Sequence, residues 1–358
     1  MCQSQLAFEY VHTLVPRFLQ ITLLCFLLIK TVGGLAQSVS FVDSLSTGSY
    51  FQVAWDNDAF QLRTKNTSDR YYTNGIHLKL LSNGFQKWPT QYALLKLTSK
   101  PDRRYDYQYD FGVGQEIYTP RNLAVRDRPL YPNDRPYAGY LYLSWGLVTS
   151  DAVSGRKLTS KLIVGVIGPL SGAAEVQKGF HLAENFKEPQ GWGTQMQNDP
   201  AISYFVGYEA RLVPQVTPVF DLIGRVDANI GMLSNYASMG TLIRIGLFND
   251  YFQNANGLYD PPAGRSRRRV QFYATLGTSF RAVLDNSLLQ GGWFNGVHNY
   301  YALPAVELKH FLGQIDFGGV IAYKNTQLSF TQSLRTSEFK NALDHQWGRL
   351  NLLFRCGR

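Results

Sequence analysis

His181 and Gln177 stand four residues apart, a spacing that puts both side chains on one face if the stretch around them is helical. An imidazole changes charge near neutral pH and can take a proton from water. Far upstream, Asn57 and Asp58 precede Thr73 and Gly75. Carboxylate, hydroxyl and carbonyl oxygens are the donors a hard cation prefers. Such a cation polarises an ester carbonyl and holds the oxyanion. Together these groups suffice for hydrolysis of an ester by water, with His181 as the base. Each has an ordinary reading as well. Asn57-Asp58 is a common turn start, Thr73 is an unremarkable strand residue, and a loop histidine is usually solvated. His77, His298, His310 and His345 show no comparable pattern, and no Gly-x-Ser-x-Gly elbow is present.

The elements that must bring these residues together alternate with period two. In 137–148, Leu141, Leu143, Trp145 and Leu147 oppose Tyr140, Tyr142 and Ser144. In 219–230, Phe220, Leu222, Val226 and Ile230 oppose Asp221, Arg225, Asp227 and Asn229. Apolar residues out and polar residues in, over lengths of about 9–11, is the pattern of a transmembrane barrel strand. The fold class expected is all-β, a transmembrane antiparallel β-barrel with a short helix in an outer loop. About twelve strands are expected, near 48–57, 71–82, 105–118, 137–149, 157–167, 201–213, 217–230, 237–248, 270–284, 300–313, 315–330 and 345–355. A soluble β-sandwich would show the same alternation, but rarely with so many strands of this length.

An even barrel keeps both termini at the periplasmic end, which fixes the side of every loop. The connections 58–70, 119–136 and 168–200 then lie outside, and 249–268 is an unusually long inner one. Counting by twos sends Asp58 and Thr73 inward at the rim of the first hairpin and Tyr72 outward. Asn57 nominally points outward. Residues 173–183 can form a helix with Ser171 as N-cap. Such a helix could lie against the rim near Asp58.

Composition agrees with a barrel. Aromatics make up 14% of the 358 residues and charged residues only 17%. The net charge of +9 comes mostly from scattered residues, the one dense run being Arg265, Arg267, Arg268 and Arg269. Without a recognition motif this favours an anionic lipid surface over nucleic acid. Residues 19–29 form a short apolar core after Arg17, followed by Gly34 and Ala36, which reads as a signal peptide over 1–36 and a barrel domain over 37–358. Cys2 and Cys25 would leave with that segment, so Cys356 alone remains and no disulfide framework forms.

Four stretches carry a resemblance. They are 56–60 (Asp-Asn-Asp-Ala-Phe), 69–75 (Asp-Arg-Tyr-Tyr-Thr-Asn-Gly), 134–142 (Asp-Arg-Pro-Tyr-Ala-Gly-Tyr-Leu-Tyr), and 165–192, which holds Glu175, Gln177, His181 and Pro189-Gln190-Gly191-Trp192. In order and spacing they resemble the lipid A 3′-O-deacylase family of Gram-negative outer membranes, the LpxR-like proteins. The resemblance runs from about residue 50 to 205. It implies a monomeric, calcium-dependent esterase that removes the 3′-linked acyloxyacyl chain from lipid A in lipopolysaccharide. On it, His181 is the general base, Asn57 a polar partner at the ester, and Asp58, Thr73 and the Gly75 carbonyl lie at or beside Ca2+. By helical spacing, Gln177 and Glu175 could orient the histidine, and the acidic residue that the family has a few positions after it could be Glu184 or Glu188. Arg121 or Arg126 would meet a lipid A phosphate. Where the family often has Asp-Asn after Gly-Trp, this chain has Gly193-Thr194. The competing readings are an inactive lipid-binding barrel and a porin-like channel.

Overall fold

A computed structural model describes residues 48–60, 70–97, 105–124, 126, 134–214, 219–253 and 268–356. The expected signal peptide lies outside these residues. Twelve antiparallel strands close into a barrel in which each pairs with its sequence neighbour and the last returns to the first. They are β1 (Tyr50–Asn57), β2 (Tyr71–Leu81), β3 (Asp106–Thr119), β4 (Ala138–Asp151), β5 (Arg156–Ile167), β6 (Asp199–Arg211), β7 (Phe220–Gly231), β8 (Ser234–Leu247), β9 (Val270–Asn286), β10 (Phe311–Tyr323), β11 (Thr326–Arg335) and β12 (His345–Arg355). Closure runs through the β1–β12 ladder, with Trp55 opposite Leu350 and Asp56 opposite Arg349.

Two expected strands are corrected. The stretch 300–313 is mostly not strand; β10 starts only at Phe311. Leu303 and Leu308 instead bury with Tyr71, Val283, Leu289, Leu312 and Phe339, so this outer connection folds down as a cap. The stretch 315–330 holds a hairpin between β10 and β11, because Lys324 takes a left-handed φ of 51° and turns the chain. Apolar alternation continues on both sides of that turn, which hides it from a period count.

The outward face is apolar and exposed along the strands, as at Leu143, Val164, Ile202, Val226, Phe272, Phe280 and Ile315. That is the surface a bilayer covers. The inward face is polar and linked. Asp56 accepts hydrogen bonds from Arg349 (2.5 and 2.6 Å) and from the Tyr72 hydroxyl (2.5 Å). His77 lies 3.2 Å from the same carboxylate and 2.8 Å from the Tyr142 hydroxyl. At the outer mouth Arg135 lies over the Tyr118 ring and pairs with Glu338 at 3.1 Å, as does Arg335. Burial alone would raise the Glu338 carboxyl, but Arg135 and Arg335 outweigh it and hold the group below its ordinary value.

At the inner end, the start of the long connection after β8 tucks into the lumen. Phe252 is buried with Ile223 and Leu242, and the Tyr251 hydroxyl donates to Glu209 at 2.9 Å. Ser150 Oγ donates to the Phe252 carbonyl at 2.6 Å. These contacts occupy the inner end of the lumen.

Candidate active site

The loop between β5 and β6 carries helix α1 (Ala173–Ala183), with the bounds expected from the sequence. Its cap is different. Gly172, at a left-handed φ of 67°, occupies the N-cap position. Ser171 sits in a preceding 3-10 turn and donates its hydroxyl to the Gly168 carbonyl at 2.6 Å. A serine there closes its own turn before it can cap the helix.

α1 buries Ala173, Ala174, Gln177 and His181, a stripe at helical spacing. The floor beneath it is the outer face of β3 and β4. Ile117, Tyr137, Ala173, Ala174 and Trp192 form one apolar cluster. Gln115 donates to the Ser171 carbonyl at 2.7 Å. In β3 these residues are odd-numbered, whereas Glu116 and Tyr118 face the lumen. The helix therefore lies on the lipid side of the wall. Its uncovered side presents Leu170, Val176, Leu182 and Phe186 from the helix and its flanks, as a surface at the lipid boundary would.

Gly139 makes this docking close. A Cβ built there would stand 2.1 Å from Ser171 Oγ and 2.3 Å from the Ala173 Cβ. Gly139→Val is thus expected to lift α1 off the wall while the twelve strands still close. If His181 works from that seat, ester hydrolysis should fall by roughly 100-fold, since a displacement of about 1 Å can cost that much. Lipid A mass spectra on a variant that still shifts on heating in gels would check this, and unchanged turnover would count against the seating role.

His181 is buried, and its Nδ1 lies 2.6 Å from the Lys187 carbonyl. A carbonyl only accepts, so the proton of that bond sits on Nδ1, and in the neutral ring the lone pair is then on Nε2. A backbone oxygen thus helps to orient the ring. Of the carboxylates expected to help, Glu175 is exposed, Glu188 is exposed and 3.7 Å from Lys178, and Glu184 is half-buried. Gln177 accepts from the Trp192 indole N–H at 2.8 Å, which turns the NH2 end of its amide away from the indole. Trp192 in turn packs on Tyr137 with ring centroids 4.9 Å apart.

Asn57, Asp58 and Thr73 are buried at the same end of the barrel as α1. Two expected orientations are corrected. β2 and β3 shift register between Tyr72 and Asn74, so Thr73 is the extra residue of a bulge. The bulge resets the alternation and sends Tyr72 inward to Asp56. It puts Thr73 Oγ1 2.6 Å from Thr119 Oγ1, in phase with Ile117 on the outer face. Asp58 leaves the strand for a 3-10 turn, Asp58–Phe60, where counting by twos no longer applies. Its Oδ2 accepts the Arg70 N–H at 3.0 Å. Asn57, in phase with Trp55 on the outer side, accepts the Ala59 N–H at 2.7 Å. Asn57 and Thr73 thus share the outward phase of the wall at its outer end, the side on which the helix sits, and Asp58 follows Asn57 at that rim.

Gly75 is paired on both sides, opposite Asp56 and Glu116. A Cβ there would stand 2.0 Å from the Tyr72 hydroxyl, so the lumen network by itself explains the glycine. Arg121 braces loops: its backbone N–H donates to Asp134, and its guanidinium reaches the Tyr71 hydroxyl at 3.4 Å and the Asn341 carbonyl at 3.1 Å. Arg126 is exposed. Thr194 donates to the Gly191 carbonyl at 2.8 Å, so Gly193-Thr194 serves the turn around Trp192. Thr119 and the Lys187 carbonyl were not legible in the sequence, the first because a bulge creates the contact and the second because every residue has a carbonyl.

A closed twelve-stranded barrel with an apolar exterior, and a helix-borne histidine seated on that exterior, defines an outer-membrane barrel protein with a site at its outer rim. The family model described as outer membrane protein LpxR matches residues 21–356, and the chain belongs to that family. Among solved structures it is similar to LpxR from Salmonella typhimurium, with 19% identity and a TM-score of 0.66 over 86% of this chain and 100% of that one. It is less similar to the β domain of the Bordetella autotransporter BrkA, with 11% identity and a TM-score of 0.40 over 86% and 98%. An outer-membrane channel from Pseudomonas putida F1 gives 11% and 0.40 over 89% and 99%. A comparison with curated proteins finds no match.

Proposed function

We propose that the chain is a lipid A 3′-O-deacylase of the outer membrane, an ester hydrolase acting on the outer leaflet. The observation that carries this reading is His181: buried under a helix on the lipid side of the wall, with Nδ1–H fixed by a backbone carbonyl and the basic lone pair on Nε2. That is the form a general base needs. In this reading Nε2 takes a proton from water as its oxygen attacks the ester carbonyl of the 3′-linked chain. The bond between the acyl carbon and the 3′ oxygen then breaks, and the imidazolium returns its proton to that departing oxygen, which stays on the sugar. The products are the free acyloxyacyl acid and a lipid A hydroxyl. Asn57 is the polar partner at the ester, and Gln177, held by Trp192, positions the imidazole. Arg126, with Arg121 beside it, is the candidate contact for a lipid A phosphate.

The residues at the rim fit a calcium ion. Asp58 offers a buried carboxylate and Thr73 a hydroxyl, both hard donors; the Gly75 carbonyl is the further oxygen that the resemblance implies, although the residue lies within the β1–β2–β3 ladders. Among the described residues no group of three or more His, Cys, Asp or Glu is gathered as a metal cluster; in this reading Asp58 is the carboxylate of the donor set and neutral oxygens complete it. When bound, the ion would supply a Lewis acid at the ester carbonyl.

The test is mass spectrometry of lipid A from a Gram-negative host expressing the chain. Loss of the mass of the 3′-acyloxyacyl group is expected. Intact lipid A around an assembled barrel supplied with calcium would overturn the reading in favour of an inactive lipid-binding barrel.

A further inference from the structure

The connection from β2 to β3 lies at the inner end of the barrel, where a short turn is usual. Here it is a strap. Two 3-10 turns, Asn83–Lys87 and Pro89–Ala93, carry it along the outside of the wall. Phe85 and Leu94 bury against Leu80, Tyr109 and Leu147, and Trp88 packs on Phe111 with ring centroids 5.6 Å apart. Further along, its backbone is fastened to β5 and β6. Ser160 Oγ donates to the Leu95 carbonyl at 2.9 Å. The Tyr204 hydroxyl donates to the Ala93 carbonyl at 2.7 Å and accepts the Leu95 N–H at 3.2 Å.

These wall residues share the outward phase of their strands, so the strap crosses β3, β4, β5 and β6 on the lipid side. Backbone at a membrane boundary must have its polar groups paired, and the Ser160 and Tyr204 hydroxyls do that for three of them. The side chains left uncovered include Lys87, Tyr92, Leu95 and Lys96, with Trp88 half-buried. From Ser82 to Pro101 the sequence holds three lysines and no acidic residue. Tyrosine and tryptophan sit well at headgroup level, and lysine is drawn to anionic lipid.

We propose that this strap is a docking surface for anionic phospholipid headgroups of the periplasmic leaflet. Lys87 and Lys96 meet the phosphates, Trp88 and Tyr92 lie at the level of the glycerol, and Leu95 enters the chains. The surface stands at the opposite end of the wall from His181 and needs no hydrolysis to operate.

The experiment uses the full-length barrel in phosphatidylcholine vesicles containing phosphatidylglycerol, with either lipid carrying bromine on its chains at equal mole fraction. Trp88 emission is the difference between wild type and Trp88→Phe, each shown to be folded by its heat-dependent gel shift. Quenching by brominated phosphatidylglycerol should exceed that by brominated phosphatidylcholine by about twofold or more, given attraction at each lysine. The excess should disappear in the Lys87→Gln, Lys96→Gln double variant, whose changes are at exposed positions and spare the fold. Equal quenching by the two lipids in wild type would overturn the proposal, as would no quenching by either or an excess that survives the double substitution.

Discussion

Replacing His181 with alanine is expected to slow release of the acyloxyacyl chain by about 10²- to 10⁴-fold, the usual contribution of a positioned general base. The barrel should be untouched, because alanine suits the last turn of α1 and the twelve-strand ladder lies elsewhere. Two features of the site make the prediction specific. The Nδ1–H bond to the Lys187 carbonyl selects the tautomer with a basic Nε2. Phe186 and Phe180 pack edge-on near the ring, at 5.8 and 6.4 Å, and limit its rotation. His181→Gln should be as slow as alanine, since an amide accepts a hydrogen bond but holds no proton at neutral pH. Lipid A mass spectra at matched barrel levels measure both substitutions. Full turnover by the alanine variant would remove His181 from the chemistry whatever its position.

How much of this was legible in the sequence depends on whether a residue's role is set locally. α1 was legible to the residue because Ala173, Ala174, Gln177 and His181 repeat at helical spacing between glycines and Pro189. Most strands were legible because polar residues such as Asp221, Arg225 and Asp227 alternate with apolar ones over a full membrane crossing. Thr73 was misplaced because one bulged residue reverses the phase of everything before it, and nothing in Tyr-Tyr-Thr-Asn announces a bulge. The same slip put Tyr72 outside, although its hydroxyl belongs to the Asp56 network. The β10–β11 hairpin was hidden because Lys324 and Asn325 turn without glycine or proline. Gly139 and Arg135 stood in a quoted motif, yet their tasks depend on partners far along the chain, Ala173 for one and Glu338 for the other.

On the proposed reading, a calcium ion should be sought on the outside of the wall rather than in the lumen. The inward carboxylate, Asp56, is committed to Arg349, Tyr72 and His77, whereas Asp58 sits past the strand end, with the Arg70 N–H on Oδ2. Asp58→Asn keeps an oxygen to accept that N–H and removes the charge. It is expected to weaken calcium binding enough to lower hydrolysis by on the order of 10²- to 10³-fold at limiting calcium, since a metal's stabilisation of the oxyanion amounts to several kcal/mol and each 1.4 kcal/mol is about tenfold. Raising calcium should restore part of the rate in Asp58→Asn and none in His181→Ala, which separates a holding role from a proton-transfer role. Wild-type barrel should also unfold at higher temperature with calcium than with a chelator, because a ligand that binds only the folded state stabilises it. The Asp58→Asn barrel should show less of that gap. Equal protection of both barrels by calcium, or a wild-type rate indifferent to chelation, would place the cation elsewhere and leave Asp58 as a brace for the first hairpin.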